Sequence, residues 1–163
     1  MVYAALGRTV LDNAWAGYHC CLFAYGQTGS GKSYSMVGYG KNVGIVPMAT
    51  NEIFARIAAN TDKHQRYEVQ FSMLEIYMEK VADLLQRDPN KKPSGGLKVR
   101  EDKRTGVFVQ GLSKVPVDSY AAIARKMDEG YTARSIGATQ MNQTSSRAHT
   151  VITIAFRQIR EDD

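Results

Sequence analysis

A chain of 163 residues with 44% hydrophobic and 23% charged side chains has the make-up of one soluble globular domain, too short for two. No apolar run approaches the ~20 residues that a membrane span needs, and the opening MVYAALGRTVLDNAW lacks the zones of a secretory signal. Net charge is +5, and the excess lies within residues 86–114, where eight Lys and Arg stand against three acids; the remainder holds 13 cations and 13 anions.

In chain order, Val2, Tyr3, Leu6, Val10 and Leu11 recur at helical spacing. The run YHCCLFAY, residues 18–25, reads as a strand buried on both faces. It carries Cys20 and Cys21, which as neighbours cannot easily pair and lack metal-ligand spacing. Two reduced core thiols are expected, and with them a reducing, cytoplasmic compartment. Residues 26–31 interrupt the strand, and a short helix is expected from Lys32. Residues 38–44 read as a loop. Pro47 suits the first turn of a helix carrying Ile53, Phe54 and Ile57. Tyr67, Val69, Phe71 and Met73 alternate with Glu68, Gln70 and Ser72, the period of a half-buried strand.

Residues 86–114 follow, with Lys91, Lys92, Lys98, Arg100, Lys103 and Arg104 among their cations. On charge alone a solvated loop and a docking patch for an acidic partner both fit, and composition does not say what that partner is. Asp118 or Ser119 then caps a helix with Tyr120, Ile123, Met127 and Tyr131 on one face. TVITIAFRQI, residues 150–159, is rich in β-branched side chains and closes as a strand. Strands alternating with helices predict an α/β sandwich.

The strongest chemical signal is Gly26-Gln27-Thr28-Gly29-Ser30-Gly31-Lys32-Ser33, which fits G-x-x-x-x-G-K-[ST]. Glycines at these places let successive backbone N–H groups converge on phosphate oxygens at the start of a helix. Lys32 supplies a compact cation for the β- and γ-phosphates, and Ser33 a hard oxygen of the kind Mg²⁺ prefers. Nucleoside triphosphate binding follows. A second cluster, Asn142-Gln-Thr-Ser145-Ser146-Arg147-Ala148-His149, stands directly before the last strand. Alone it is an ordinary polar turn. Beside a phosphate loop it becomes a γ-phosphate sensor, with two hydroxyls, an amide and an arginine.

These residues carry a resemblance. Gly17-Tyr18 and Ala24 through Met36 resemble the phosphate-loop region of kinesins, and residues 142–149 resemble their switch I, N-x-x-S-S-R-S-H. Glu75-Ile76-Tyr77, Glu79, Val81 and Asp83-Leu84-Leu85 are similar to the family's E-I-Y-N-E-x-V-x-D-L-L run. Residues 44–47 (GIVP), 106–109 (GVFV) and 111–112 (GL) also fall where kinesins have similar residues. Myosin shares the Ser-Ser-Arg core but has a different phosphate loop, and no Asn-Lys-x-Asp guanine reader of a small GTPase is present.

The resemblance implies a three-layer P-loop NTPase sandwich of the kinesin/myosin type across residues 1–163. The implied activity is that of a microtubule-based motor hydrolysing ATP, with ATP or ADP and Mg²⁺ as cofactors. The alternative is a non-catalytic kinesin-like module that binds nucleotide or microtubules. In the implied roles, residues 26–33 hold phosphate, Tyr34 stacks on adenine, and Ser33 and Ser146 bind Mg²⁺. Asn142, Ser145 and Ser146 close on the γ-phosphate, and Arg147 pairs with a switch II glutamate. The basic stretch, through Lys91, Lys92, Lys98, Arg100, Lys103 and Arg104, is implied to touch tubulin. No nucleic-acid or membrane contact is implied for this segment, and the setting is cytoplasm and cytoskeleton. Three positions depart from the family pattern: His19 and Met78 replace Asn, and Ala148 replaces the third switch Ser. The family's first strands, switch II strand and C-terminal helices have no match here. The segment alone is therefore expected to be inactive, with unpaired apolar edges at residues 18–25 and 150–159.

Overall fold

The computed structural model describes residues 2–141 and 148–161. A π-helical turn, Tyr3–Gly7, runs into α1, Arg8–Trp15. Helix α2, Lys32–Met36, is followed by a two-residue hairpin of β1, Gly38–Tyr39, and β2, Asn42–Val43, where the sequence reads as a loop. Helix α3 spans Ile45–Ala58 from an extended Gly44, with Pro47 in its first turn as its fixed φ favours.

The long strand β3, Gln65–Tyr77, pairs antiparallel with β4, Lys80–Asp83, and with β7, Val115–Pro116. Met73 accepts a bond from Leu84 and Val69 one from Val117. Backbone groups of residues an even number apart point to the same edge of a strand, so β4 and β7 share one edge of β3. Strand β8, Ala148–Arg160, also pairs with β3. The contacts Arg157–Glu68 and Glu161–His64 advance in opposite chain directions, which makes that pairing antiparallel. Between β4 and β7 lies a separate hairpin of β5, Val99–Asp102, and β6, Gly106–Val109. Helix α4 spans Tyr120–Met141, starting one residue after Ser119.

The described chain falls into two compact units. One comprises Met1–Glu68, Asp118–Ala121 and Phe156–Asp163. Its centre includes Leu11, Ile45, Thr50 and Ile53, all buried. Trp15 stacks on Phe156 at 4.7 Å between ring centroids and lies 5.6 Å from Tyr67, with the Arg56 guanidinium over the Trp15 ring at 5.6 Å from its centroid. Tyr3 donates to Glu52 at 2.5 Å; burial, and then this acceptor, push the phenol up to about 12.

The other unit comprises Val69–Val117 and Ala122–Ala155. Phe71, Met73 and Ile123 are the largest fully buried side chains among its described residues. A side chain on Gly130 would meet Met73 Sδ, so the glycine lets α4 lie close on β3. The alternation seen in the sequence holds only for the start of β3. Residues 71–75 are buried on both faces, including Ser72 and Glu75, because β3 has paired strands along both edges.

One expected element is not formed. Residues 18–25 join no sheet among the described residues, and Tyr18, Phe23 and Tyr25 are 70%, 80% and 95% exposed. A run of this kind becomes a buried strand only when neighbours on both edges complete its ladder, and none of the described strands does so. Cys20 and Cys21 are accordingly exposed free thiols rather than core residues.

Candidate functional site

The phosphate-type loop is built as its sequence requires. Gly26 has φ 151° and the Ser30 hydroxyl 2.5 Å from where its side chain would begin, so any larger residue would be strained and would collide. Gly31 is left-handed and immediately precedes α2, with open space where a side chain would stand. Ser30 N–H donates to the Gln27 carbonyl at 3.2 Å and rounds the loop. The amides of Thr28, Gly29 and Gly31 make no backbone hydrogen bond among the described residues. A row of uncommitted N–H donors beside open glycines is the arrangement that takes up anionic oxygens.

Lys32 Nζ donates to the carbonyls of Gly26 and Gln27, each at 2.7 Å. The ammonium thus sits over the loop with two of its three donors committed and one remaining. The Ser33 hydroxyl is exposed, one residue into α2. Tyr34, half exposed, lies face to face with Tyr39 of β1, with ring centroids 6.3 Å apart and planes inclined by 30°. Tyr39 is a neighbour that sequence reading missed, since a glycine-rich loop gives no sign that it will fold back as a hairpin.

Asn142, Ser145, Ser146 and Arg147 lie outside the described residues. The elements that flank them are clear: α4 leads in and β8 leads out. Helix α4 is fastened to β3 by Arg134 Nε donating to Glu75 Oε1 at 2.6 Å, with Glu75 almost fully buried. That ion pair was also not evident from sequence, because 59 residues separate its partners.

In the basic stretch, Arg87 pairs with Glu129 at 2.8 Å, and Arg100 donates to Gln110 at 3.2 Å. Lys91, Lys92, Lys98, Lys103 and Arg104 are exposed. Lys103 and Arg104 occupy the β5–β6 turn, where Asp102 accepts from the N–H groups of Arg104 and Thr105 at 2.8 and 3.0 Å. The N–H groups of Thr105, then of Arg104, hold the Asp102 carboxyl below the usual carboxylate range. Among the described residues, no three His, Cys, Asp or Glu gather as a metal set and no helix is long and apolar enough to cross a membrane.

The family model described as kinesin motor domain matches residues 1–163. "Kinesin-related protein 1" of Dictyostelium discoideum is 51% identical over 164 residues, covering 99% of this chain and 7% of the relative. Among solved structures, a KIF14 dimer with AMP-PNP in complex with a microtubule aligns with a TM-score of 0.84 at 41% identity. It covers 96% of this chain and 43% of that one. A structure of a fast kinesin, with implications for ATPase mechanism and interactions with microtubules, aligns at TM-score 0.88 and 36% identity. There 96% of this chain matches 44% of the other.

Proposed function

The chain belongs to the kinesin motor-domain family, and on that premise we propose that it forms the phosphate cradle and first nucleotide switch of an ATP-driven microtubule motor. The observation that carries the reading is the loop at residues 26–33, with its uncommitted amides, its glycine torsions and the Lys32 ammonium held over it. The solved structures it resembles are of a KIF14 dimer with AMP-PNP in complex with a microtubule and of a fast kinesin with implications for ATPase mechanism and interactions with microtubules.

In this reading the loop amides bind the phosphates, and Lys32 exchanges its carbonyl partners for β- and γ-phosphate oxygens. Ser33 and Ser146 would hold Mg²⁺, which offsets charge that develops on the phosphates. Asn142, Ser145 and Ser146 close on the γ-phosphate, Arg147 pairs with a switch II glutamate, and Tyr34 offers its ring to adenine. The exposed cations Lys91, Lys92, Lys98, Arg100, Lys103 and Arg104 face the acidic surface of tubulin, where complementary charge speeds encounter and sets orientation. The site works on microtubules, within cytoplasm and cytoskeleton. A non-catalytic nucleotide-binding relative is the second reading; the presence of both Lys32 and the Ser145-Ser146 pair favours turnover over binding alone.

Steady-state ATP hydrolysis by the full-length protein, with and without microtubules, tests this directly. Stimulation is expected, and its absence would sink the motor reading. Lys32→Ala should weaken nucleotide affinity by roughly 10- to 100-fold, the equivalent of one charge-assisted hydrogen-bonding group. Ser146→Ala should spare binding more than turnover; equal loss of binding in both would refute the division of roles.

A further inference from the structure

Ser94 occupies an exposed turn within the basic stretch. The Gly96 N–H donates to the Pro93 carbonyl at 2.9 Å, which closes a β-turn with Ser94 and Gly95 at its corners. Lys91, Lys92, Pro93, Ser94 and Gly95 are all exposed. The chain is then fixed at once: Leu97 N–H donates to the Val81 carbonyl at 2.7 Å, and Gly96, at φ 79°, backs onto Val81. A serine hydroxyl is thus held out on a turn whose far side is anchored to β4. Two lysines precede it by three and two residues. Cations in that register before an exposed serine fit a protein kinase whose substrate groove is lined with carboxylates, which reads charge pattern rather than fold.

We propose that Ser94 is a phosphorylation site for a basophilic serine/threonine kinase, and that phosphate there weakens the hold of the basic stretch on an acidic partner. The second half rests on the microtubule-docking reading of that stretch. In the transfer, Ser94 Oγ forms a bond to the γ-phosphorus of ATP held by the kinase as the bond from that phosphorus to the departing ADP oxygen breaks. The hydroxyl proton passes to the kinase's base. The new group carries about −1.5 to −2. Residues 86–114 would fall from +5 to about +3. None of Lys91, Lys92 and Lys98 is ion-paired among the described residues. These neighbours would turn to the phosphate and be withdrawn from an outside carboxylate surface. The cradle at residues 26–33 shares no residue with the stretch, so nucleotide affinity is unaffected.

The test treats the full-length protein with the catalytic subunit of cAMP-dependent protein kinase and ATP, then maps phosphopeptides. Phosphate is expected on Ser94, absent in Ser94→Ala and reduced at least roughly tenfold in Lys91→Ala/Lys92→Ala. No phosphate on Ser94 of the native protein overturns the site. Microtubule cosedimentation across a salt series then compares phosphorylated protein with identically treated Ser94→Ala. About fivefold weaker binding is expected at low salt, converging at high salt. A variant with Lys91, Lys92, Lys98 and Lys103 changed to Ala is the reference. If it binds more weakly and the phosphorylated protein does not, the regulatory half is overturned while docking stands. If neither weakens, the docking reading falls and the regulation with it; the labelling result still decides the site.

Discussion

Met78 and Glu79 close the β3–β4 hairpin with φ of 47° and 61°. A two-residue turn matches the twist of the strands it joins when both central residues are left-handed. Asn and Gly adopt that conformation at little cost, whereas a longer side chain brings its Cβ against the following carbonyl. The kinesin run that this segment resembles has Asn where Met78 stands, so the departure falls on a position where residue type has an energetic consequence. Met78 is 73% exposed, and little burial offsets the strain. Met78→Asn should therefore stabilise the fold by about 1 kcal/mol. The measurement is the thermal midpoint of the motor domain with and without the change, at unchanged nucleotide affinity. A fall in the midpoint would mean that the methionine makes contacts worth more than the turn strain.

Among the elements, α4 and β3 depend on a pair that neither reveals by itself. Glu75 is a carboxylate inside a strand buried on both faces, and Arg134 reaches it from the helix. Removing one partner leaves the other buried charge uncompensated, which costs about 3–5 kcal/mol for a fully enclosed pair. Water already reaches the Arg134 end of the pair, so the Glu75 carboxylate stranded by Arg134→Ala is not fully enclosed and the cost should be less, about 2–3 kcal/mol. Glu75→Gln should show a comparable loss, and the double variant less than the sum of the two. Strictly additive losses in thermal or denaturant unfolding would show that the two side chains act separately. Residues 142–147 follow α4 directly in the chain, so the same variants report whether the fastening matters for turnover.

What could be read from the sequence follows the same division. The turn at residues 26–33 into α2 was legible because its signal is local: glycines, a lysine and a serine within eight residues mark a loop that opens a helix. Helices α3 and α4 and strands β3 and β8 were legible because burial repeats along a single element. Residues 18–25 were not, because an apolar run states that it should be buried without stating what will pair with it. The Glu75–Arg134 pair, the Tyr34–Tyr39 stack and the Trp15–Tyr67–Phe156 cluster all depend on long-range contact or on a turn that spacing cannot encode.

For the molecule as a whole, the exposed run at residues 18–25 decides behaviour. Tyr18, Phe23 and Tyr25 together present on the order of 500 Å² of aromatic surface, comparable to the largest patch that monomers usually tolerate. This surface lies on a segment with no ladder partner among the described residues, and backbone groups in that state recruit other chains. More than half of each solved motor domain has no counterpart in these 163 residues, since the match covers 43% and 44% of those chains. The 163-residue polypeptide prepared by itself should therefore self-associate, with apparent mass rising with concentration in light scattering. Phe23→Lys together with Tyr25→Lys should shift it toward monomer, because charge on an exposed edge opposes pairing. Its ATP turnover should match background with or without microtubules, as phosphoryl transfer depends on a fully assembled charge environment around the γ-phosphate. A monodisperse monomer at high concentration would refute the edge argument, and microtubule-stimulated hydrolysis by that monomer would refute the dependence on the remaining motor domain.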